Sequence, residues 1–325
     1  MNRMPYLRLW LPALLVLAAW TGSAAQPAKP ARVAFLGMDS RMQAPFVAAF
    51  VDRLRALGYQ EGRQVVFEFR WAERHFELLP ALAAELVANR PDVIVTAAPP
   101  AVRAVQRATT SIPTVVLIHD PVGSGFVETL ARPGRNITGV AFQDSELSAK
   151  RLDLLRQMIP RIGKVGVIWN REGGGVGAVQ ALEHAARTLG VELRAFEIVH
   201  PSDLPEAMRQ AKLWGAQGIV QPASPVFTQN RVSLLEAAAR HQLPMMCEMR
   251  NLVVEGCLAT YSASFPAQYA RMADYVDRVL RGARADSLPV EQPREFEFVI
   301  NARTARELGL EINPAIRLRA TEVLQ

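Results

Sequence analysis

The sequence is poor in the residues that most often carry chemistry. Among its 325 residues there are two cysteines and five histidines. Cys247 and Cys257 have no histidine cluster beside them, which excludes a zinc site of the usual paired-ligand kind. An oxidising compartment permits a disulfide between them, but spacing alone does not decide whether their Cα atoms come within about 7 Å. No G-x-S-x-G, H-E-x-x-H, paired C-x-x-C, P-loop or G-x-G-x-x-G pattern occurs, so no hydrolase, zinc-protease or nucleotide motif is on offer. Lys and Arg exceed Asp and Glu by a formal +6, yet they are scattered without runs, which argues for a solvated basic surface over nucleic-acid binding.

Long apolar runs are also missing, with one short exception. Residues 9–20 form an apolar stretch of twelve, preceded by Arg3 and Arg8 and followed by Ser23 and Ala25 at the positions before a cut at Gln26. A basic start, a short apolar centre and a small-residue exit are the parts of a secretory signal. The run contains Pro12 and falls short of the roughly 20 residues that span a bilayer. A cleavable signal over residues 1–25 is therefore expected, and with no cysteine at the cut a periplasmic location is expected over a lipid-anchored one. Loss of Arg3 and Arg8 lowers the formal charge to +4. The remaining chain is long enough for two lobes.

After a Pro/Ala linker over residues 26–31, strand-like and helix-like segments alternate. Residues 32–36 read as a strand closed by Gly37, and Phe46, Phe50, Leu54 and Leu57 follow at helical spacing. Strands are expected over residues 64–70, 92–96, 115–118 and 137–140. The pattern then restarts. Residues 165–169 mirror the first strand, Val179, Leu182, Ala186 and Leu189 mirror the first helix, and further strands fall over residues 191–199, 218–221 and 244–247. Gly37 to Gly58 spans 21 residues and Asn170 to Gly190 spans 20. The expected fold class is α/β, with two doubly wound parallel-sheet lobes joined by a hinge. One long sheet is the alternative, which the renewed series of strands and helices after Phe142 disfavours.

Ligands of such sheets sit beyond the carboxyl ends of the strands, near helix N-termini. That position nominates Asp39 and Ser40 after the first strand, Ala98 and Pro99 after the third, and Asp120 after the fourth. From the second lobe it nominates Asn170, Ser224 and Glu248. Backbone N–H groups near Ser40 and Pro99 suit a carboxylate, and Asp120 suits an ammonium. Asp120 has an equally simple alternative, as the cap of a helix from Gly123. His119 beside Asp120 invites an acid–base reading, but no nucleophile is placed near it. The glycines from Gly173 to Gly177 stand where a phosphate cradle would, without its spacing or its Lys-Ser/Thr, and read as a flexible turn. Glu248 and Arg250 follow a strand and also have a simple reading, as a surface pair.

Two stretches carry a family resemblance. His119-Asp120-Pro121-Val122-Gly123 and Leu130-Ala131-Arg132-Pro133-Gly134-Arg135-Asn136-Ile137-Thr138-Gly139 resemble the DPVG…LARPGGNITG signature of the ABC transporter substrate-binding family related to tryptophan- and tyrosine-binding lipoproteins. Residues 50–59, 69–73, 79–87 and 293–310 are similar to other parts of that family, so the resemblance covers nearly the whole chain after residue 31. It implies a type I periplasmic-binding-protein fold with three hinge crossings, near Phe142, Tyr261 and Pro293. The lobes would then be residues 26–142 with 262–292, and 143–261 with 293–325. It also implies a small-molecule ligand such as an amino acid or related carboxylate, an ABC permease with its cytoplasmic ATPase as partners, and no cofactor. A monomer is expected. Asn170-Arg171, the glycines at 173–175 and Glu248-Met249-Arg250-Asn251 depart from the family pattern, all where the second lobe should meet ligand. A receptor docking on a membrane sensor and a periplasmic α/β enzyme are the alternative readings.

Overall fold

The structure is a computed structural model that describes residues 29–142, 144–171 and 175–325. The expected signal at residues 1–25 and the glycines at 173 and 174 lie outside the described residues. In the first half the elements are β1 (Ala31–Gly37), α1 (Ser40–Ala56), β2 (Val65–Trp71), α2 (Leu79–Ala88), β3 (Val93–Ala97), α3 (Pro99–Ala108), β4 (Thr114–His119) and β5 (Ile137–Phe142). In the second they are α4 (Asp144–Met158), β6 (Lys164–Trp169), α5 (Val176–Leu189), β7 (Glu192–Glu197), α6 (Leu204–Trp214), β8 (Gly218–Val220), α7 (Pro225–Gln229), α8 (Arg231–Arg240), β9 (Met245–Cys247), α9 (Arg250–Glu255) and β10 (Ala259–Ala263). The chain closes with α10 (Phe265–Leu280), β11 (Phe296–Asn301), α11 (Ala302–Glu307), α12 (Pro314–Arg317) and β12 (Glu322–Leu324).

Two sheets result. The first has the order β2-β1-β3-β4-β5 and is parallel throughout. The second has the order β12-β11-β10-β9-β8-β6-β7. Its β7-β6-β8-β9-β10 part repeats the order of the first sheet, which is the repeat read from the sequence. One pair departs from the parallel pattern: β11 runs antiparallel to β10. The chain leaves β10 through α10, which packs on the first sheet, and comes back along the edge of the second from the opposite end. The strand sequences explain their burial. β1, β3 and β4 are continuous apolar runs because helices cover both faces.

Most of α10 belongs to the first core. Tyr269, Met272, Tyr275 and Val276 are buried with Phe35, Phe46 and Phe50, each contributing about 1.5–3 kcal/mol by burial. Two further apolar clusters fill the faces of the second sheet. Gly139, the last residue of the NITG stretch, has φ +142° and lies where an added Cβ would stand 2.1 Å from the Val116 carbonyl oxygen. Its β4–β5 approach is open to no other residue. Among the described residues no helix is long and apolar enough to cross a membrane.

Candidate functional site

A chamber lies where the carboxyl ends of the two sheets meet. The first sheet's side supplies Met38, Gln43, Phe46, Ala97, Ala98, Leu117, His119 and Phe142. The second sheet's side supplies Ser224, Pro225, Thr228, Gln229, Glu248 and Met249, and α10 adds Phe265 and Tyr269. The aromatic rings form a continuous wall. Phe142 and Phe265 centroids are 4.8 Å apart, Phe46 and Phe265 5.3 Å, and Phe46 and Tyr269 5.6 Å. The His119 ring lies nearly flat on Phe142 at 4.8 Å.

The polar groups at the chamber are held in place by the protein itself. Gln43 accepts at Oε1 from the backbone N–H groups of Met38 and Asp39, at 2.7 and 3.2 Å, and donates from Nε2 to the Tyr269 hydroxyl at 2.8 Å. Burial pushes the Tyr269 phenol well above its usual range. Glu248 is 5 % exposed. Its Oε2 accepts from the Ser224 backbone N–H at 3.1 Å and its Oε1 from the Thr228 hydroxyl at 2.8 Å. Arg151, on α4 and 2 % exposed, stands behind this wall. It donates to the carbonyls of Tyr261 and Glu248, at 2.9 and 3.4 Å, and so ties β9 to β10. Gln229 is 8 % exposed, and its buried Nε2 has no hydrogen-bond partner among the described residues.

The structure resolves the cysteine question. Cys247 and Cys257 are joined by a disulfide with Cα atoms 6.4 Å apart. The bridge closes the segment that begins with Glu248 and Met249, two residues of the chamber wall.

Of the eight residues nominated from sequence, Ala98, Ser224 and Glu248 line the chamber. Asp39 lies just behind Met38 and accepts the Arg41 backbone N–H at Oδ1, 3.1 Å, capping α1. Ser40 begins α1, outside the lining. Asn170, directly after β6, is buried and donates to the Ile198 carbonyl at 3.0 Å. Pro99 faces a groove on the other side, with Phe76, Leu79 and Arg103. The carboxylate site expected at Pro99 has little to work with, because Pro99 and Pro100 both lack an N–H and Ala98 gives its own to the Leu117 carbonyl at 3.1 Å. Asp120 is exposed and takes the Gly123 N–H at 2.9 Å. Residues 121–125 form turns, so Asp120 caps a turn and no helix starts there. The alternative reading of Glu248 and Arg250 as a surface pair gives way to an Arg250–Glu322 ion pair at 2.7 Å.

Of the lining residues that sequence reasoning missed, some lie on or beside strands, such as Met38, Leu117 and Phe142, and others lie on helices. Gln43 and Phe46 are three apart on α1, and Phe265 and Tyr269 four apart on α10. That spacing was the available signal, and it reads equally well as ordinary core.

The model of the family described as ABC transporter substrate binding protein matches residues 32–324. The chain belongs to that family. As a family member it is 24% identical over 265 residues to a tyrosine-binding protein of Clostridioides difficile (strain R20291), covering 81% of this chain and 76% of that one. In fold it is similar to a Streptococcus pneumonia ABC domain solved in complex with L-Trp, with TM-score 0.84, 22% identity and coverage of 91% of this chain and 100% of the other. A conserved domain protein of Vibrio cholerae gives TM-score 0.83 at 26% identity, again over 91% and 100% of the two chains. A ligand-free, open substrate-binding protein with adhesive properties from Clostridium difficile gives 0.71 at 19%, over 91% and 99%. The family that the signature stretches resemble and the two-lobed α/β fold read from the repeated strands and helices are thereby both established.

Proposed function

We propose that this protein is the solute-binding component of an ABC importer. It acts in the periplasm after removal of residues 1–25, as a monomer, and delivers a ligand of the amino-acid class to a permease with its cytoplasmic ATPase. It performs no chemistry on that ligand. The chain crosses between lobes near Phe142, Tyr261 and Pro293, giving lobes of residues 26–142 with 262–292 and 143–261 with 293–325, and the cleft closes by rotation about these crossings.

The observation that carries this reading is the chamber between the two sheets, walled by aromatic rings and bearing a few fixed polar groups. Such a lining suits a small ligand with an apolar body. The tyrosine and tryptophan named for the relatives point the same way. Binding of a ligand to the folded state raises stability by about 2.7 kcal/mol at a hundredfold excess over Kd. A thermal-shift screen of the twenty amino acids is therefore expected to give a selective rise for an aromatic member. A flat response across the set would reject the ligand class, and turnover of a bound compound would reject the transport role.

A further inference from the structure

We infer that Gln229 determines which ligands the chamber accepts: its Nε2 donates to an oxygen of the ligand, the ring hydroxyl or the carboxylate of an aromatic amino acid, and a compound without that oxygen is rejected. This rests on the amino-acid reading above and names the group that discriminates among such ligands.

Gln229 is the last residue of α7, a helix of five residues whose position is fixed along its length. Pro225 sets the backbone at its first position. Phe227 is fully buried in the core of the second sheet. On one side of Gln229 the Thr228 hydroxyl is bonded to Glu248 at 2.8 Å, and on the other Asn230 donates from Nδ2 to the Val226 carbonyl at 2.8 Å. With both neighbours engaged, the Gln229 side chain is delivered to one place. There it lines the chamber and also a second cavity, which bears Glu73, Arg74, His75 and His200. Gln229 thus stands where an apolar room gives on to a polar one.

At that place Nε2 is buried with no hydrogen-bond partner among the described residues. A buried N–H without an acceptor bears the cost of leaving water and recovers none of it, so such a group calls for a function. Much of the remaining wall, including Met38, Phe46, Leu117, Phe142, Met249 and Phe265, has no side-chain oxygen to offer it. A ligand that fills this space with an aromatic body and brings an oxygen to Nε2 recovers the cost. A ligand of the same shape without the oxygen leaves the donor stranded, which is the strongest form of discrimination a binding site has. L-Tyrosine carries two such oxygens, on the ring and on the carboxylate. L-Phenylalanine keeps the carboxylate alone and tyramine the ring hydroxyl alone, while tryptamine has neither.

The test is calorimetry of L-tyrosine, L-phenylalanine, tyramine, L-tryptophan and tryptamine on the parent protein and on Gln229→Met, which keeps the length of the side chain and removes its N–H. In the parent, loss of the oxygen that Gln229 reads is expected to weaken binding by about ten- to a hundredfold. In Gln229→Met that gap is expected to close. A tyrosine–phenylalanine gap that closes assigns the ring hydroxyl, and an amino acid–amine gap that closes assigns the carboxylate. Without ligand, Gln229→Met is expected to melt no lower than the parent, because an unpaired buried donor has been replaced by an apolar group of similar size. Gaps of the same size in parent and variant overturn the inference and leave the amino-acid reading standing, as does equal binding of all five compounds by the parent. A variant that melts lower or fails to fold shows that the Gln229 amide is needed within the protein itself, and also overturns it. Silence of the parent toward all five compounds removes both the inference and the reading beneath it.

Discussion

Gln43 and Tyr269 are 226 residues apart in the chain and 2.8 Å apart at the chamber. Through this contact the β1–α1 turn is held to α10, because the same Gln43 side chain also takes the N–H groups of Met38 and Asp39. Gln43→Ala leaves those buried donors without their acceptor and is expected to cost about 2–3 kcal/mol in urea unfolding. Tyr269→Phe loses one bond and is expected to cost about 1 kcal/mol. The Tyr269 phenol is raised by burial, so the folded protein keeps it protonated where the unfolded chain begins to ionise it. Above pH ~10 stability contributed by this group therefore falls as pH rises, and Tyr269→Phe is expected to flatten that alkaline loss.

The Cys247–Cys257 disulfide closes a short loop, with a sequence separation of 10. Chain-entropy arguments give about 3 kcal/mol for a loop of this size. The Cys247→Ser, Cys257→Ser double variant is expected to melt lower by that equivalent and to bind ligand more weakly, because Glu248 and Met249 begin the stapled segment. Melting with and without reductant checks the first point, and calorimetry on the folded variant the second. A variant with unchanged melting would show that packing alone holds the loop.

Glu291 pairs with Arg271 through both oxygens, at 2.6 and 2.8 Å, and its backbone bonds to Gly139 and Ala141 on β5. The Arg271 guanidinium holds the Glu291 carboxyl below its ordinary value of 4.5. A depressed carboxyl stabilises the fold above its unfolded pKa, and the contribution disappears as pH falls through the folded value. Glu291→Gln is expected to lower stability by about 1 kcal/mol at neutral pH, allowing for the partial exposure of both partners. The gap between variant and parent should narrow in melts taken at progressively lower pH below the ordinary 4.5.

Gly139→Ala sets a Cβ 2.1 Å from the Val116 carbonyl oxygen and 2.6 Å from its nitrogen. Neither atom is at the end of a flexible side chain, so β4 and β5 must move apart. A loss of about 3 kcal/mol or more is expected. Gly163→Ala is the matched control, since its Cβ meets only the Gln217 side-chain oxygen at 3.6 Å. If both variants melt alike, the close approach at Gly139 is not what its position requires.

These geometries explain what was legible in the chain. The fold was, because buried parallel strands are plain apolar runs and the helices between them keep their periodicity. The signature stretches mark the same thing. Asp120 caps the Gly123 N–H, and a Cβ on Gly123 would lie 2.0 Å from the Asp120 carboxylate. With Gly139 between the strands, Asp120 and Gly123 shape the lobe, while His119 of the same stretch lines the chamber. The direction of β11 was not legible, because it depends on where α10 packs. The site was legible only at strand ends, where Ala98, Ser224 and Glu248 fall. Gln43, Phe46, Phe265 and Tyr269 sit on helices at spacings that core residues also use, and only the meeting of α1 with α10 turns them into a wall.

The position of α10 also governs the order in which the molecule can be assembled. The first five strands leave the ribosome together, yet the helix that buries Tyr269, Met272 and Tyr275 against them follows after the whole of β6 to β10. The second sheet in turn waits for β11, which emerges only after that helix. Each half is completed by residues synthesised after the other half has begun, so neither is a self-sufficient fragment. Docking of late segments onto early ones, over long sequence separations, makes folding slow and leaves apolar surface open in the meantime.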